Sequence, residues 1–367
     1  MTETVRRAWR RWQVERRLRS GQPLRGPDWV HLGIADGCNY RCSWCASHSS
    51  LLSGPRPTGL LPRRLFDELL EDLQLLGTRQ VEFAGTGEPL MRADAVAMIR
   101  AAKEAGLEAL LITNGALLTA ESCDQLVDLG LDTLNVSLNA ATDETHERIH
   151  CAPAGDRARI VHMLRRLRRA RGEHGKPFLS ISVVVEKENY REVLVLAQQV
   201  IELDLDHVYF APLGLNAASA QLVMTREEDE EARGLVQAAD ALMRAAGKHT
   251  NAAAFLDRPV EVYWTKELFS RVPCHVGQLY SRVAANGDIH PCAAARGRTS
   301  GNLAEMRFRD IWRSEAYRQF RREARRLPRS HQPVEGCLCW TCGQHFLTKQ
   351  YEQQVRLGQL APDGARA

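Results

Sequence analysis

Ten cysteines stand in the chain. Three of them, Cys38, Cys42 and Cys45, fall in one stretch from Gly37 to Ala46, Gly-Cys-Asn-Tyr-Arg-Cys-Ser-Trp-Cys-Ala. The gaps between them are three residues and then two. Three thiolates this close make a good chelate, and the next cysteine along is Cys123. An iron–sulfur cluster is normally held by four cysteine thiolates, so a three-cysteine loop leaves one iron open to another ligand. A structural zinc site shares the Cys-x-x-Cys spacing but closes with four protein ligands. A disulfide would require an oxidising compartment.

The pattern Cys-x-x-x-Cys-x-x-Cys, with Trp44 before the third cysteine, resembles the signature of the radical S-adenosylmethionine (SAM) enzymes. The resemblance implies that Cys38, Cys42 and Cys45 hold a [4Fe–4S] cluster. Its open iron would bind the amino and carboxylate groups of SAM, with Trp44 alongside. It further implies that an electron from the reduced cluster breaks the sulfonium bond to give a 5′-deoxyadenosyl radical. A reductase such as flavodoxin or ferredoxin would supply that electron.

Such a loop needs a scaffold. Trp29 to Ala35 reads as a strand running into it, and Leu61 to Leu76 as an amphipathic helix with Pro62 in its first turn, where a missing N–H costs nothing. The alternation then repeats. Strands are expected at Gln80 to Ala84, Leu107 to Thr113, Thr133 to Leu138, Phe178 to Val185 and His207 to Ala211. Helices fall between them at Ala93 to Ala105, Ala120 to Leu129, Asp143 to Ile149 with Arg157 to Arg171, and Tyr190 to Leu203. Strands alternating with helices imply a parallel sheet built by right-handed crossovers. Six units are too few for a closed eight-stranded barrel. The expected fold class is therefore α/β, an open, partial (β/α)6 barrel, which the family resemblance also implies.

In parallel α/β folds, sites lie at the C-terminal ends of the strands. The cysteine loop follows the first strand and Gly85-Thr86-Gly87-Glu88-Pro89 the second. Thr113-Asn114-Gly115 follows the third, and Ser137-Leu138-Asn139-Ala140 ends the fourth, so all four share one rim. Glycines let backbone approach a ligand closely, and the loop can offer carbonyls to an ammonium group. Gly85 to Pro89 resembles the family's Gly-Gly-Glu-Pro loop, which grips the amino group of SAM, with Thr86 where the second glycine usually stands. An ordinary strand-to-helix turn is the plain alternative. The same resemblance makes Ser137 and Asn139 ribose and carboxylate contacts of SAM, Asn114 a ribose contact and Arg148 a carboxylate partner. Each could equally serve as a helix cap or turn residue.

Strand side chains alternate between faces. Val81, Phe83, Leu134, Val136, Ile181 and Val183 should face the helices, leaving Glu82, Asn135, Ser137, Ser180, Ser182, His207 and Tyr209 pointing inward. Unpaired polar groups are costly in a dry interior. The barrel is thus expected to hold water or a hydrogen-bond-rich substrate such as a sugar, nucleoside or aminocyclitol. Glu82 is the interior carboxylate expected to meet it, unless it pairs with a structural arginine.

The remaining cysteines cluster late. Cys274 opens Cys-His-Val-Gly-Gln-Leu-Tyr, and Cys292 closes a hairpin with strands at Ser281 to Ala284 and at Ile289, around Asn286-Gly287, a type I′ turn signal. Cys337, Cys339 and Cys342 lie in Gly-Cys-Leu-Cys-Trp-Thr-Cys. This arrangement resembles the SPASM or shorter twitch extension of radical SAM enzymes, which binds an auxiliary [4Fe–4S] cluster. No cysteine follows Cys342, so one auxiliary cluster is expected. Cys274, Cys292, Cys339 and Cys342 would be its ligands, with Cys337 spare or alternate. A zinc site of four cysteines uses similar spacing. Cys123 and Cys151 read as small buried hydrophobes.

Composition bounds the rest. The 367 residues are 44% hydrophobic, enough for a sizeable core. No apolar run approaches the roughly 18 residues of a membrane span, and no secretory signal opens the chain. Clustered cysteines suit metal ligation in a reducing cytoplasm. A net charge of +4 does not argue for a nucleic-acid partner. Val5, Ala8, Trp9 and Trp12 share one face of an arginine-rich amphipathic helix, expected to dock its tryptophans on the barrel and leave its arginines in water. The expected organisation is a basic tail (1–27), the partial barrel (28–224), a charged helical bridge (225–260), the auxiliary-cluster domain (261–345) and a polar tail (346–367). The primary functional expectation is radical tailoring of a small polar metabolite, an oxidation or related step of natural-product biosynthesis. Modification of a peptide, by crosslinking or epimerisation, is the second, weakened but not excluded by the expectation that the roughly thirty residues before the first strand hold no peptide-recognition domain. A zinc protein associated with nucleic acid is the alternative of another class.

Overall fold

The computed structural model describes residues 3–172, 175–257, 268–295, 297–339, 342 and 345–357. The expected domain boundary near residue 260 and the tail beyond 357 lie outside the described residues. Helix α1 (Glu3–Ser20) precedes the first strand, β1 (Trp29–Leu32). Alternation then gives α2 (Arg63–Leu75), β2 (Gln80–Phe83), α3 (Ala95–Glu104), β3 (Glu108–Thr113), α4 (Ala120–Asp128) and β4 (Thr133–Ser137). Two helices, α5 (Asp143–His150) and α6 (Asp156–Ala170), lead to β5 (Phe178–Val185), α7 (Val193–Glu202) and β6 (His207–Pro212). Strands β1 to β6 pair in sequence order, each parallel to the next. Pro62 stands at the N-cap of α2 rather than in its first turn.

One face of every strand is sealed. Val30, Leu32, Val81, Phe83, Leu134, Val136, Ile181 and Val183 are wholly buried under the helices. Each contributes on the order of 1.5–3 kcal/mol of hydrophobic burial. The other face, carrying His31, Glu82, Asn135, Ser137, Ser182, His207 and Tyr209, is half-buried and Ser180 is buried. The sheet therefore has a dry back and a polar front.

The charged segment expected as a bridge instead continues the barrel. Thr225 and Glu228 form a capping box at the start of α8 (Arg226–Ala245), which packs on α7. Strand β7 (His249–Thr250) then pairs parallel with β6. The charges lie on the outer face, while Ala232, Val236, Ala239 and Met243 are buried. Helix α9 (Ala252–Leu256) follows.

The second cysteine region is welded to the same sheet. After α10 (Val276–Leu279), strand β8 (Tyr280–Val283) pairs parallel with β1, opposite the β2 side. Strands β9 (Asp288–His290) and β10 (Gly301–Asn302) complete, among the described residues, a ten-stranded sheet of order β10-β9-β8-β1-β2-β3-β4-β5-β6-β7. The turn before β9 is not type I′, because that turn needs positive φ at both central residues. Only Gly287 has it, at +86°, and its N–H donates to the Ala284 carbonyl at 2.9 Å. That is a type I turn closed by a left-handed glycine.

Helices α11 (Phe308–Arg313), α12 (Glu315–Arg325), α13 (Leu327–Ser330) and α14 (His345–Leu357) finish the described chain. Helix α1 packs on α12 through Val14 and Leu18, and Glu15 pairs with Arg325 at 2.6 Å. Trp9 and Trp12 are more than half exposed, so the docked face is not the tryptophan face. Arg321 stitches this region together. Its guanidinium, 3% exposed as a residue, donates to the carbonyls of Gly277, Trp312 and Gly21 and lies 4.3 Å above the Trp312 ring.

Candidate active site

The cysteine loop leaves β1 and is held from two sides. The C-terminal carbonyls of α5 accept from it, Arg41 N to His150 O at 3.1 Å and Ser43 N to Ile149 O at 2.8 Å. The glycine loop after β2 grips it from the other side, Glu88 N donating to Gly37 O at 2.8 Å. Gly87 is required there, because a Cβ at that position would sit 2.1 Å from the Gly37 carbonyl oxygen. A Cβ on Gly85 would sit 2.8 Å from Gly33 Cα. The two loops are thus packed backbone to backbone, and Gly85 and Gly87 are where this chain needs glycine.

Glu88 is the clasp. Its buried carboxylate accepts from Leu90 N at 3.0 Å, Thr113 Oγ1 at 2.7 Å and Asn114 N at 2.8 Å. Burial raises its pKa, and the three donors oppose that rise. This carboxylate is therefore occupied with tying the glycine loop to the end of β3. Asn114, expected to meet a ribose, donates to Asn39 Oδ1 at 2.8 Å and lies 3.9 Å from Cys38 Sγ. Thr86 Oγ1 accepts from Arg282 at 3.0 Å, so the residue replacing the family's second glycine connects the loop to β8.

Donors converge on the cysteine sulfurs. The N–H groups of Ser47 and His48 lie 3.5 and 3.2 Å from Cys45 Sγ. His150 Nδ1 lies 3.1 Å from Cys42 Sγ. Burial, then the neighbouring Cys45 and Cys38 sulfurs, push the Cys42 thiol pKa up; a group that relieves this crowding is a metal cluster, which binds thiolates. The residues present fit the cluster that the spacing implies. Trp44 packs edge-on against His150 at 5.2 Å and offers its carbonyl to Asn216 Nδ2 at 3.0 Å.

Along the rim, Ser137 lies at the end of β4 with Ser182 3.5 Å away. Asn139 is buried and fully engaged, its Oδ1 accepting from Val184 N at 2.6 Å and its Nδ2 lying 3.3 Å from His150 Nε2. Arg148 points outward and pairs with Glu188 at 3.0 Å. Below the rim, among the described residues, Glu82 pairs with His31 at 2.7 Å rather than with an arginine. Arg282, His31 and Glu82 occupy one register row across β8, β1 and β2. Burial first, and then Glu82, raise the pKa values of Tyr209 and Tyr280.

His150 was not singled out by its sequence position. The signal was present: His146 and His150 are spaced four apart on one helix face, both are buried, and their rings lie 4.5 Å apart. Burial, then His146, hold the His150 pKa well below the ordinary histidine value.

The late cysteines also come together. Cys274, Cys292, Cys337, Cys339 and Cys342 all lie in the small core shared with α1 and α12. Cys292 interacts with Cys342, and Cys337 with Cys339, as sulfur pairs. Backbone N–H groups of Ala294 and Val334 lie 3.3 Å from the Cys292 and Cys339 sulfurs. Five thiols among amide donors fit a cluster. Cys123 is buried as expected, whereas Cys151 is exposed.

The family comparisons agree with this geometry. Residues 32–200 match the radical SAM superfamily and residues 274–343 the SPASM iron–sulfur cluster-binding domain. The tungsten-containing aldehyde ferredoxin oxidoreductase cofactor-modifying protein of Pyrococcus furiosus is 30% identical over 48% of this chain, which spans about half (49%) of that relative's length. An AdoMet-dependent heme synthase of Methanosarcina barkeri is 28% identical, over 78% of this chain and 83% of its own. A PqqA peptide cyclase of Gluconobacter oxydans is 27% identical, over 82% and 83%. Streptococcus suis SuiB bound to precursor peptide SuiA has the same fold, with a TM-score of 0.66 and 18% identity over 85% of this chain and 70% of that one. No described helix is long and apolar enough to cross a membrane. With its three-cysteine loop on the barrel rim and its second cysteine group behind β8, this chain is a radical SAM enzyme with a C-terminal SPASM domain, built to bind SAM, a [4Fe–4S] cluster and auxiliary iron–sulfur.

Proposed function

We propose that this enzyme modifies a peptide, forming a crosslink or inverting a residue, rather than tailoring a small polar metabolite. The observation that carries the reading is the sheet's front face. It is half-buried from Arg282 and His31 through Glu82, Asn135 and Ser137 to Tyr209, a wide polar floor interrupted by Leu110, Ile112 and Val184. A mixed floor several strands wide suits a chain segment with alternating side chains better than one compact sugar. The similarity to a PqqA peptide cyclase over 82% of this chain supports the same reading. The relative named as a heme synthase makes a non-peptide substrate the competing outcome.

When bound, the cluster and SAM supply one-electron cleavage and a hydrogen-abstracting radical. Cys38, Cys42 and Cys45 would hold the cluster. The backbone of Gly85, Thr86 and Gly87 would present carbonyls to the SAM ammonium, and Ser137 would meet the ribose. Asn114, Asn139 and Glu88 act by holding these loops in place. Trp44 would wall the site. Arg148 reaches SAM in this reading only by leaving Glu188. The His31–Glu82 pair would touch the substrate. Glu82 Oε1, 2.7 Å from His31 Nδ1, would hold that ring in place beside the substrate. Cys274, Cys292, Cys339 and Cys342 would hold the auxiliary cluster, with Cys337 as the alternate.

Substrate deuteration tests the proposal. Deuterium should pass into 5′-deoxyadenosine from a candidate peptide and not from sugars, nucleosides or aminocyclitols; transfer from the small molecules alone would reverse the reading. Glu82→Gln with full turnover and unchanged substrate affinity would remove Glu82 from the substrate site.

A further inference from the structure

We propose that His150 is a positioning residue for the SAM-binding cluster, donating a fixed Nδ1–H hydrogen bond to the Cys42 sulfur and thereby making the cluster easier to reduce. The direction of that bond follows from a relay that begins in the sheet. The N–H of Val184 on β5 can only donate, and it points at Asn139 Oδ1 at 2.6 Å. The Asn139 amide is therefore oriented with its oxygen toward β5 and its NH2 toward Ser137 O and His150 Nε2, the latter at 3.3 Å. An NH2 group offers only hydrogens, so Nε2 must carry the lone pair. The remaining proton of the neutral ring is on Nδ1, which faces Cys42 Sγ at 3.1 Å. A doubly protonated ring would set two donors head to head at Nε2.

The ring has no freedom to choose otherwise. His150 is 1% exposed and His146 is wholly buried. Their rings lie 4.5 Å apart, and Trp44 and Tyr40 close two more sides at 5.2 and 5.5 Å. His150 also ends α5 at the point where the Ile149 and His150 carbonyls hold the cysteine loop. The hydrogen bond is thus built into the support of the loop. Hydrogen bonds to cluster sulfurs stabilise the more negative, reduced state and raise the potential. Solvent is excluded here, so water cannot take over the donation.

The test uses the anaerobically reconstituted full chain. His150→Phe removes the donor at similar volume, and His150→Gln restores one. Iron and sulfide are counted first. A potentiometric titration then follows the EPR signal that shifts on addition of SAM, which separates this cluster from the auxiliary one. The reduction equilibrium of H150F should move about tenfold toward the oxidised form, a potential about 59 mV more negative for one electron, and H150Q should recover most of the change. An unchanged potential in fully loaded H150F overturns the proposal. If H150F takes up no cluster, wild type with ring-labelled nitrogen-15 histidine decides. A weak nitrogen coupling in pulsed EPR of the SAM-responsive signal supports the bond, and its absence overturns it.

Discussion

Glu88 offers the sharpest test of how the site is held together. Its carboxylate answers three donors, Leu90 N, Thr113 Oγ1 and Asn114 N. It is 2% exposed, so water cannot replace it. In Glu88→Gln the oxygen serving Leu90 and Thr113 survives, and the new NH2 must face the Asn114 N–H. One bond is lost and two buried donors, the Asn114 N–H and the new NH2, are left facing each other, at a cost of about 2–6 kcal/mol. In Glu88→Ala the Leu90 and Asn114 N–H groups are both orphaned, for about 2–6 kcal/mol; the Thr113 hydroxyl can turn away. Both variants should unfold at lower urea midpoints than wild type, followed by tryptophan fluorescence. SAM affinity should fall in both, because the clasp also sets Glu88 N against Gly37 O. A Gln variant matching wild type in both assays would refute the clasp.

Three further outcomes follow from the structure. Gly87→Ala places a methyl group 2.1 Å from the Gly37 carbonyl oxygen, so the loops must part and SAM should bind at least about tenfold more weakly, or about 1.4 kcal/mol; wild-type affinity by equilibrium dialysis would contradict this. Glu186 is wholly buried, and burial lifts its pKa to about 7. A raised carboxylate pKa means stability is lost as pH rises from the unfolded value of about 4.3 through about 7. Glu186→Gln should therefore melt like wild type at pH 4 and at higher temperature at pH 8, and equal melting at pH 8 would count against it. Cys274→Ala should lower iron from about eight to about four per chain, at four per cluster, whereas Cys337→Ala should keep it near eight; the reverse pattern would reassign the ligands.

Much of the barrel was legible because its signals are local. Alternation such as Gln80-Val81-Glu82-Phe83 sets a strand with a dry and a polar side, and the cysteine spacing is a short-range pattern. Glycines that admit backbone contact, Gly85 and Gly87, also announce themselves locally. What the chain concealed was long-range. Nothing near Tyr280–Val283 states that it will pair with β1, some 250 residues earlier, so the auxiliary region read as a separate domain. Trp9 and Trp12 outweigh Val14 and Leu18 in any local count of apolar surface, yet only the smaller pair meets α12. Glu82 needed a hydrogen-bond partner, and whether that was an arginine or His31 depended on which strand lay beside it. Glu88 and Asn139 match ligand-contact positions in the family pattern, but their side chains here are spent on neighbouring loops.

In the proposed reading, Cys38, Cys42 and Cys45 form an open-cornered cluster site that cleaves SAM. The most direct measurement is release of 5′-deoxyadenosine from SAM by the reconstituted, chemically reduced enzyme, compared with Cys42→Ala. Release by wild type and none by the variant is the expected result. A wild type fully loaded with iron that releases none, or a variant that releases as much, would contradict the claim.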